Sequence, residues 1–220
     1  KISFISRKLS GSLCKFIEEN GYDVHYLPNK DLEWKNDAEK TIKIINNLDP
    51  VDWLVVDNYE LNDTWETILK PYTKKIMVID DMTKRKHNCD LILDQNFYEN
   101  MEKRYSKLIP NYCKQFLGPK FSLLRPEFFN ARKNLKRKKQ FKRILISFGG
   151  SDPSNETKKA LLAIVDLRKK YKIDVIVGTN NPNKKQIRKL CSKISFCDFY
   201  EQVENISKYM KKADLAIGAG

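Results

Sequence analysis

The chain has 220 residues, 41% hydrophobic and 32% charged, with only 8 glycines and 8 prolines. At a typical domain size of about 150 residues this is one large domain or two small ones, with enough apolar material to exclude wholesale disorder and too little Gly and Pro for a fibrous or low-complexity chain. Lys plus Arg is 42 and Asp plus Glu is 28, a formal charge of +14 that permits polyanion binding without requiring it.

Residues 2–6 read as a strand, and Ser10 to Asn20 as a helix with Leu13, Phe16 and Ile17 at helical spacing and Asn20-Gly21 as its C-cap. Asp23–Leu27 is the next strand. Asp37–Leu48 carries Ile42, Ile45 and Leu48 on one helical face and stops at Asp49-Pro50. Trp53-Leu54-Val55-Val56-Asp57 is a continuous apolar run closed by an acid, the pattern of a parallel strand buried on both faces. A helix over Thr64–Leu69 follows, then two more runs of the same kind, Ile76–Asp81 and Asp90–Asp94. The second half repeats the rhythm: strand Arg143–Phe148, a turn at Gly149–Pro153 and a helix over Asn155–Lys170. Strand Ile173–Val177, helix Asn183–Ser192, strand-like Ile194–Tyr200, helix Val203–Lys212 and strand Asp214–Ile217 complete it. Such alternation predicts an α/β protein with parallel sheets and right-handed crossovers. The expected division is 1–131, a basic linker 132–143, and 144–220.

No apolar run approaches the roughly 20 residues that cross a bilayer, and the N-terminal residues lack an export signal. The five cysteines are odd in number and form no Cys-x-x-Cys, and only two histidines are present. Reduced, mostly buried thiols in a cytoplasmic protein are expected, with no structural zinc and no cofactor. Arg132–Arg143 holds eight basic residues in twelve and no acid. It reads as a solvated linker or helix end, or as a weak contact with an anionic membrane surface. Nucleic acid is not an expected partner, because Phe141 is the only aromatic interleaved with that basic run.

Three turns of small residues follow apolar strands: Gly149-Gly150-Ser151-Asp152, the turn at Gly178, and Gly218-Ala219-Gly220. In open α/β sheets ligands sit beyond the carboxyl ends of the strands. Two glycines ahead of a helix N-terminus suit phosphate; the same residues also read as a tight turn with Asp152 or Ser154 capping the helix. In the first half the acids Asp57, Asp80 and Asp81 end strands, where carboxylates suit acid–base work or merely capping. Asp80 and Asp81 are adjacent and face opposite ways while extended, so they cannot form a shared pair. His87 reads as a loop histidine, and His25 as a packed or surface residue.

Several blocks occur in a familiar order: Val55–Tyr59, Val78–Asp81, His87-x-Cys89 through Asn96, Gly118-Pro119-Lys120-Phe121-Ser122-Leu123-Leu124-Arg125-Pro126-Glu127-Phe128, Ile146–Pro153 and Ala213–Gly220. The series resembles the UDP-2,4-diacetamido-2,4,6-trideoxy-β-L-altropyranose hydrolases of pseudaminic acid synthesis, whose relatives are often labelled spore coat polysaccharide biosynthesis proteins. The resemblance implies a GT-B-like fold of two Rossmann-like domains across a cleft, close to the transferase that adds N-acetylglucosamine to a lipid-linked peptidoglycan precursor. It implies a UDP-sugar substrate, with water attacking the anomeric carbon and no metal. Carried over, Gly149, Gly150 and Ser151 line the diphosphate beside Asp152, and Gly178, Gly218 and Gly220 approach the nucleotide. Tyr59, Asp57 and Asn58 stand at the sugar as the candidate catalytic residues. Asp81, Gln95, Asn96 and Arg125 are candidate substrate-binding residues.

The family's Gly-x-Gly-His-x-x-Arg turn, whose histidine is the expected base, has no counterpart in these residues. Neither has the Gly-Ser-Thr and Trp-Glu-Arg-Cys block after the last strand. The resemblance therefore implies a core truncated at both ends, inactive and poorly folded if these residues are the whole polypeptide. A GT-B glycosyltransferase and a non-catalytic nucleotide-sugar module are the competing readings, and a fused downstream acetyltransferase is compatible with all three.

Overall fold

The computed structural model describes residues 1–9, 12–28, 33–133, 135, 140–167 and 171–219. The chain folds as two compact units, Lys1–Leu123 and Leu124–Gly220.

In the first unit, β1 (Ser3–Arg7) pairs in parallel with β2 (Asp23–Leu27). Helix α1 (Cys14–Glu19) lies between them in sequence and is shorter than the periodicity predicts; Ser10 and Gly11 lie outside the described residues. A second, four-stranded sheet has the order β3-β4-β5-β6 and is wholly parallel: β3 (Val51–Val56), β4 (Thr73–Ile79), β5 (Leu91–Asp94) and β6 (Lys114–Leu117). All four residues of β5 are buried, as its unbroken apolar run requires of an inner strand. Strand β6 has no apolar signal of its own and is absent from the sequence reading; three of its four residues are exposed.

Helix α2 (Trp34–Ile45) begins three residues before its expected start, because Asp37 is a buried anchor and not an N-terminal surface residue. The Asp37 carboxylate accepts from Arg7 at 3.1 Å and from the Trp65 indole at 3.0 Å. It thereby ties β1 to α2 and to α3 (Asp63–Leu69). The core beneath these helices gathers Ile45, Val56, Trp65, Leu69, Ile76, Val78 and Ile92. Each such side chain contributes about 1.5–3 kcal/mol on burial. At the outer edge of β3, among the described residues no strand pairs with it, and Trp53 and Val55 remain 45% and 54% exposed.

The second unit opens with α4 (Pro126–Lys133), which packs on α7 (Ser207–Lys212). Arg132 and Lys133 of the expected linker form the last turn of α4, where cations suit the helix dipole. Asn134 and residues 136–139, which carry half of the basic residues of the run, lie outside the described residues. The sheet has the order β10-β7-β8-β9, again all parallel. Its strands are β7 (Arg143–Ser147), β8 (Lys172–Val177), β9 (Cys197–Glu201) and β10 (Leu215–Gly218). Helix α5 (Glu156–Val165) follows β7 and α6 (Lys184–Cys191) follows β8. The chain builds outward from β7 to β9, then returns to the far side of β7 for β10. The carboxyl ends of β7 and β10 are therefore a topological switch point.

Candidate functional site

Parallel strands deliver their carboxyl ends to one edge of a sheet. In the first unit that edge carries Asp57–Glu60 after β3, Asp80–Thr83 after β4 and Asp94–Asn96 at the end of β5. Asp80 is 1% exposed while Asp81 is half-buried, so the two neighbours do diverge. The Tyr59 hydroxyl donates to Asp81 Oδ1 at 3.1 Å, and Asn96 Nδ2 donates to Asp81 Oδ2 at 3.0 Å. Three expected residues from three strand ends thus meet on one carboxylate. The Asp81 hydrogen bond, then its charge, hold the Tyr59 phenol above its ordinary pKa, with burial, Asp57 and Asp80 adding to the effect.

Other expected residues have local duties. Asn58 Oδ1 accepts from the Glu60 N–H at 2.7 Å, forming an Asx turn. Gln95 Oε1 accepts from the Leu123 N–H at 3.1 Å and holds the segment after β6. Asp57 is exposed beside the cluster. Arg125 belongs to the second unit, where it pairs with Glu127 at 2.7 Å.

Beneath the cluster lies a buried polar layer that the sequence reading missed. Glu66 of α3 accepts from His87 Nδ1 at 2.7 Å and from the Asn88 N–H. His87 is a loop histidine as expected, and a buried, paired one; its Nε2 lies 3.9 Å from Asp80 Oδ1. Arg85 pairs with Asp80, and Arg104 donates to Asp94 at 3.2 Å and to the Asp81 carbonyl at 2.8 Å. The Tyr105 hydroxyl lies 2.7 Å from the Asp80 carbonyl and 3.1 Å from Asp94 Oδ2.

Burial pushes Asp80 up, but Arg85, the Thr83 N–H and His87 outweigh it and leave the carboxyl below its ordinary value of 3.8. A depressed folded pKa gives stability that is complete above the unfolded value and lost as pH falls through the folded one. Urea unfolding is therefore expected to show stability falling below about pH 4 through this group. The same titration in Asp80→Asn should show a smaller fall.

In the second unit, Gly149 has φ +82° and Gly150 follows it, both exposed, and a Cβ on either would meet open space. A Cβ on Gly178, by contrast, would collide with the Gly150 carbonyl and Cα, so the first and second glycine turns are in backbone contact. A Cβ on Gly218 would strike the Ser147 carbonyl, its register partner. Thus β7, β8 and β10 bring their turns together at the switch point. Ser151 is exposed there; Gly220 lies outside the described residues.

Asp152, named above among the nucleotide residues, faces inward and is 5% exposed. Its two carboxylate oxygens accept from the Glu156 and Thr157 N–H groups at 2.8 and 3.0 Å. It caps α5 and holds the turn. The N-terminus of α5 thus already has its anion, and a ligand at this turn would rely on the glycine backbone instead. A shallow depression of about 510 Å³ lies along β9, lined by Arg188, Cys191, Asp198 and Tyr200, apart from these turns. Among the described residues no cluster of three or more His, Cys, Asp or Glu could hold a metal, and no helix is long and apolar enough to cross a membrane. All five cysteines are free thiols.

No protein-family profile matches the chain. It is 28% identical over 217 residues to an uncharacterized protein of Methanocaldococcus jannaschii, covering 96% of this chain and 43% of that protein. It is 29% identical over 220 residues to the UDP-2,4-diacetamido-2,4,6-trideoxy-β-L-altropyranose hydrolase of Campylobacter jejuni, covering 98% of this chain and 73% of the hydrolase. The spore coat polysaccharide biosynthesis protein SpsG of Bacillus subtilis is 33% identical over 106 residues, 47% of this chain and 31% of SpsG. The chain thus spans less than half the length of two of these relatives. The crystal structure of Acinetobacter baumannii MurG superimposes with a TM-score of 0.56 at 9% identity, over 99% of this chain and 64% of that one, which shows the fold. The chain is thus similar along almost its whole length to the UDP-2,4-diacetamido-2,4,6-trideoxy-β-L-altropyranose hydrolase and over about half of it to SpsG, and its wholly parallel α/β units share the GT-B-type fold of MurG.

Proposed function

We propose that the chain is the core of an enzyme that cleaves a UDP-linked 2,4-diacetamido-trideoxy sugar with water, releasing UDP and the free sugar for surface polysaccharide or nonulosonic acid synthesis. The observation that carries this reading is the meeting of Tyr59, Asp81 and Asn96 at one strand edge, in a chain 29% identical to a named hydrolase over 220 residues.

On this reading the exposed glycine backbone of Gly149 and Gly150, with Ser151, takes the diphosphate and steadies the charge that grows on it as the glycosidic C–O bond breaks. Water forms the new bond to the anomeric carbon, and its proton passes to a carboxylate. Asp81 is the candidate for that role, oriented by Tyr59 and Asn96. Gly178 and Gly218 serve by letting the backbone turns close on one another; Asp152 serves by fixing the turn.

The test is UDP release from a panel of UDP-sugars without acceptor or metal, using the natural polypeptide that carries this sequence. UDP plus free diacetamido sugar supports hydrolysis. Turnover that starts only when an acceptor is supplied makes the protein a transferase, and absence of UDP binding overturns the site.

A paired substitution separates ligand contact from packing. Gly150→Ala points its methyl into open space, so stability should change by no more than about 0.5 kcal/mol. UDP affinity, measured by calorimetry, should fall at least about tenfold. Gly178→Ala presses on the Gly150 backbone and should cost about 1–3 kcal/mol in urea unfolding.

A further inference from the structure

The buried polar layer under Tyr59 and Asp81 has no part in the chemistry just described, yet its bonds end on the two loops that carry them. Arg85 Nη1 donates to the carbonyls of Asn58 at 2.9 Å and Leu61 at 2.7 Å, on either side of Tyr59 and Glu60. Its Nη2 donates to Asp80 Oδ1, and its guanidinium lies 5.7 Å from the centre of the Tyr59 ring. Asp80 Oδ2 in turn accepts from the Thr83 N–H at 3.0 Å. Thr83 has φ +52°, a left-handed conformation that a β-branched residue rarely adopts unless something holds it. So one buried carboxylate fixes the turn that bears Asp81 and, through Arg85, the loop that bears Tyr59.

We propose that the Asp80–Arg85 ion pair is the positioning device of the Tyr59–Asp81 hydrogen bond, with Arg85 acting on the site through Tyr59 and never touching the substrate. A guanidinium suits this work. Its planar fork reaches two carbonyls and a carboxylate at once, and lysine's single ammonium cannot reproduce that geometry. The Arg85 side chain is 16% exposed and the Asp80 side chain 0%, so water competes poorly for these bonds. The charged and titratable groups facing Tyr59 are Asp81, Asp57, Asp80 and Arg85. The inference deepens the hydrolase reading and rests on it for its kinetic arm only.

The experiment labels the natural polypeptide with fluorotyrosine and follows its fluorine resonances through a pH titration. The resonance missing from Tyr59→Phe is that of Tyr59. In the parent it should titrate above the value of free fluorotyrosine, as the Asp81 hydrogen bond holds the phenol up. In Arg85→Lys, which keeps the charge beside Asp80 and loses the fork, it should shift and titrate closer to the free value, because the hydroxyl loses its fixed acceptor. Arg85→Met should shift the resonance too, but it also removes a cation 5.7 Å from the ring and bares Asp80, both of which raise the phenol, so Arg85→Lys decides the direction. Arg188→Met, in the other unit, should leave the resonance alone.

In the UDP-release assay Arg85→Met should lower kcat about 10- to 100-fold with UDP affinity within about twofold, and adding it to Tyr59→Phe should lower kcat no further. An unchanged Tyr59 titration and chemical shift in folded Arg85→Lys overturns the proposal, as does a full extra loss in the double variant. A parent protein that releases no UDP overturns the hydrolase reading instead, and the fluorine titration still decides the positioning role.

Discussion

Arg143→Met is expected to destabilise the second unit by about 3–5 kcal/mol, read as a lower urea midpoint at unchanged slope. Arg143 opens β7 and grips Asp174 with two parallel N–H···O bonds, one of them 2.8 Å long. Asp174 sits in the middle of a strand whose other residues, apart from Lys172, are all buried, and its side chain is 0% exposed. The salt bridge itself adds little, because taking both charges out of water offsets most of their attraction. Removing one partner is different: methionine fills much the same volume but strands a carboxylate in an apolar sheet. Replacing both residues together, Arg143→Met with Asp174→Leu, should therefore restore most of the loss. A single variant within about 1 kcal/mol of the parent would mean that water reaches Asp174 freely.

The second large effect concerns chemistry. Asp81→Asn keeps the size of the side chain and an oxygen for the Tyr59 hydroxyl, and removes the capacity to take a proton. If Asp81 is the base of the proposed hydrolysis, kcat should fall about 10²–10⁴-fold with little change in KM. A loss under about tenfold, expressed in KM, would make Asp81 a binding group and place the proton acceptor elsewhere. Asn96→Ala serves as the milder companion. It removes one of the two donors that orient the carboxylate, so a smaller loss in the same direction is expected.

The strand-end acids were legible in the sequence for a physical reason. A strand buried on both faces is an apolar run, and the first carboxylate after it marks the point where the chain reaches water. Asp57 and Asp81 obey that rule, whereas Asp80 and Asp94 stay buried, paired with Arg85 and Arg104, and β3 keeps Trp53 and Val55 exposed; the parallel sheet brings all four acids to one edge. What escaped was whatever depends on partners distant in sequence. Glu66 looks like any acid in the first turn of a helix, and its burial against His87 joins positions 21 residues apart. Arg85 stands in a run of basic residues, Lys84-Arg85-Lys86, where nothing local distinguishes the one that turns inward. Asp152 carried two readings at once, ligand contact and cap, and only its bonds to Glu156 and Thr157 separate them. Strand β6 escaped because an edge strand with exposed side chains has no periodicity to read.

The outer edge of β3 has a consequence for how its sheet can grow. Among the described residues β3 is the end strand, with Trp53 and Val55 exposed on one of its faces. A further strand laid along it, from elsewhere in the natural polypeptide, would pair with its free backbone groups and give both side chains a neighbour to pack on. Exposure of Trp53 to a quencher in the natural polypeptide reads directly whether such a strand is there.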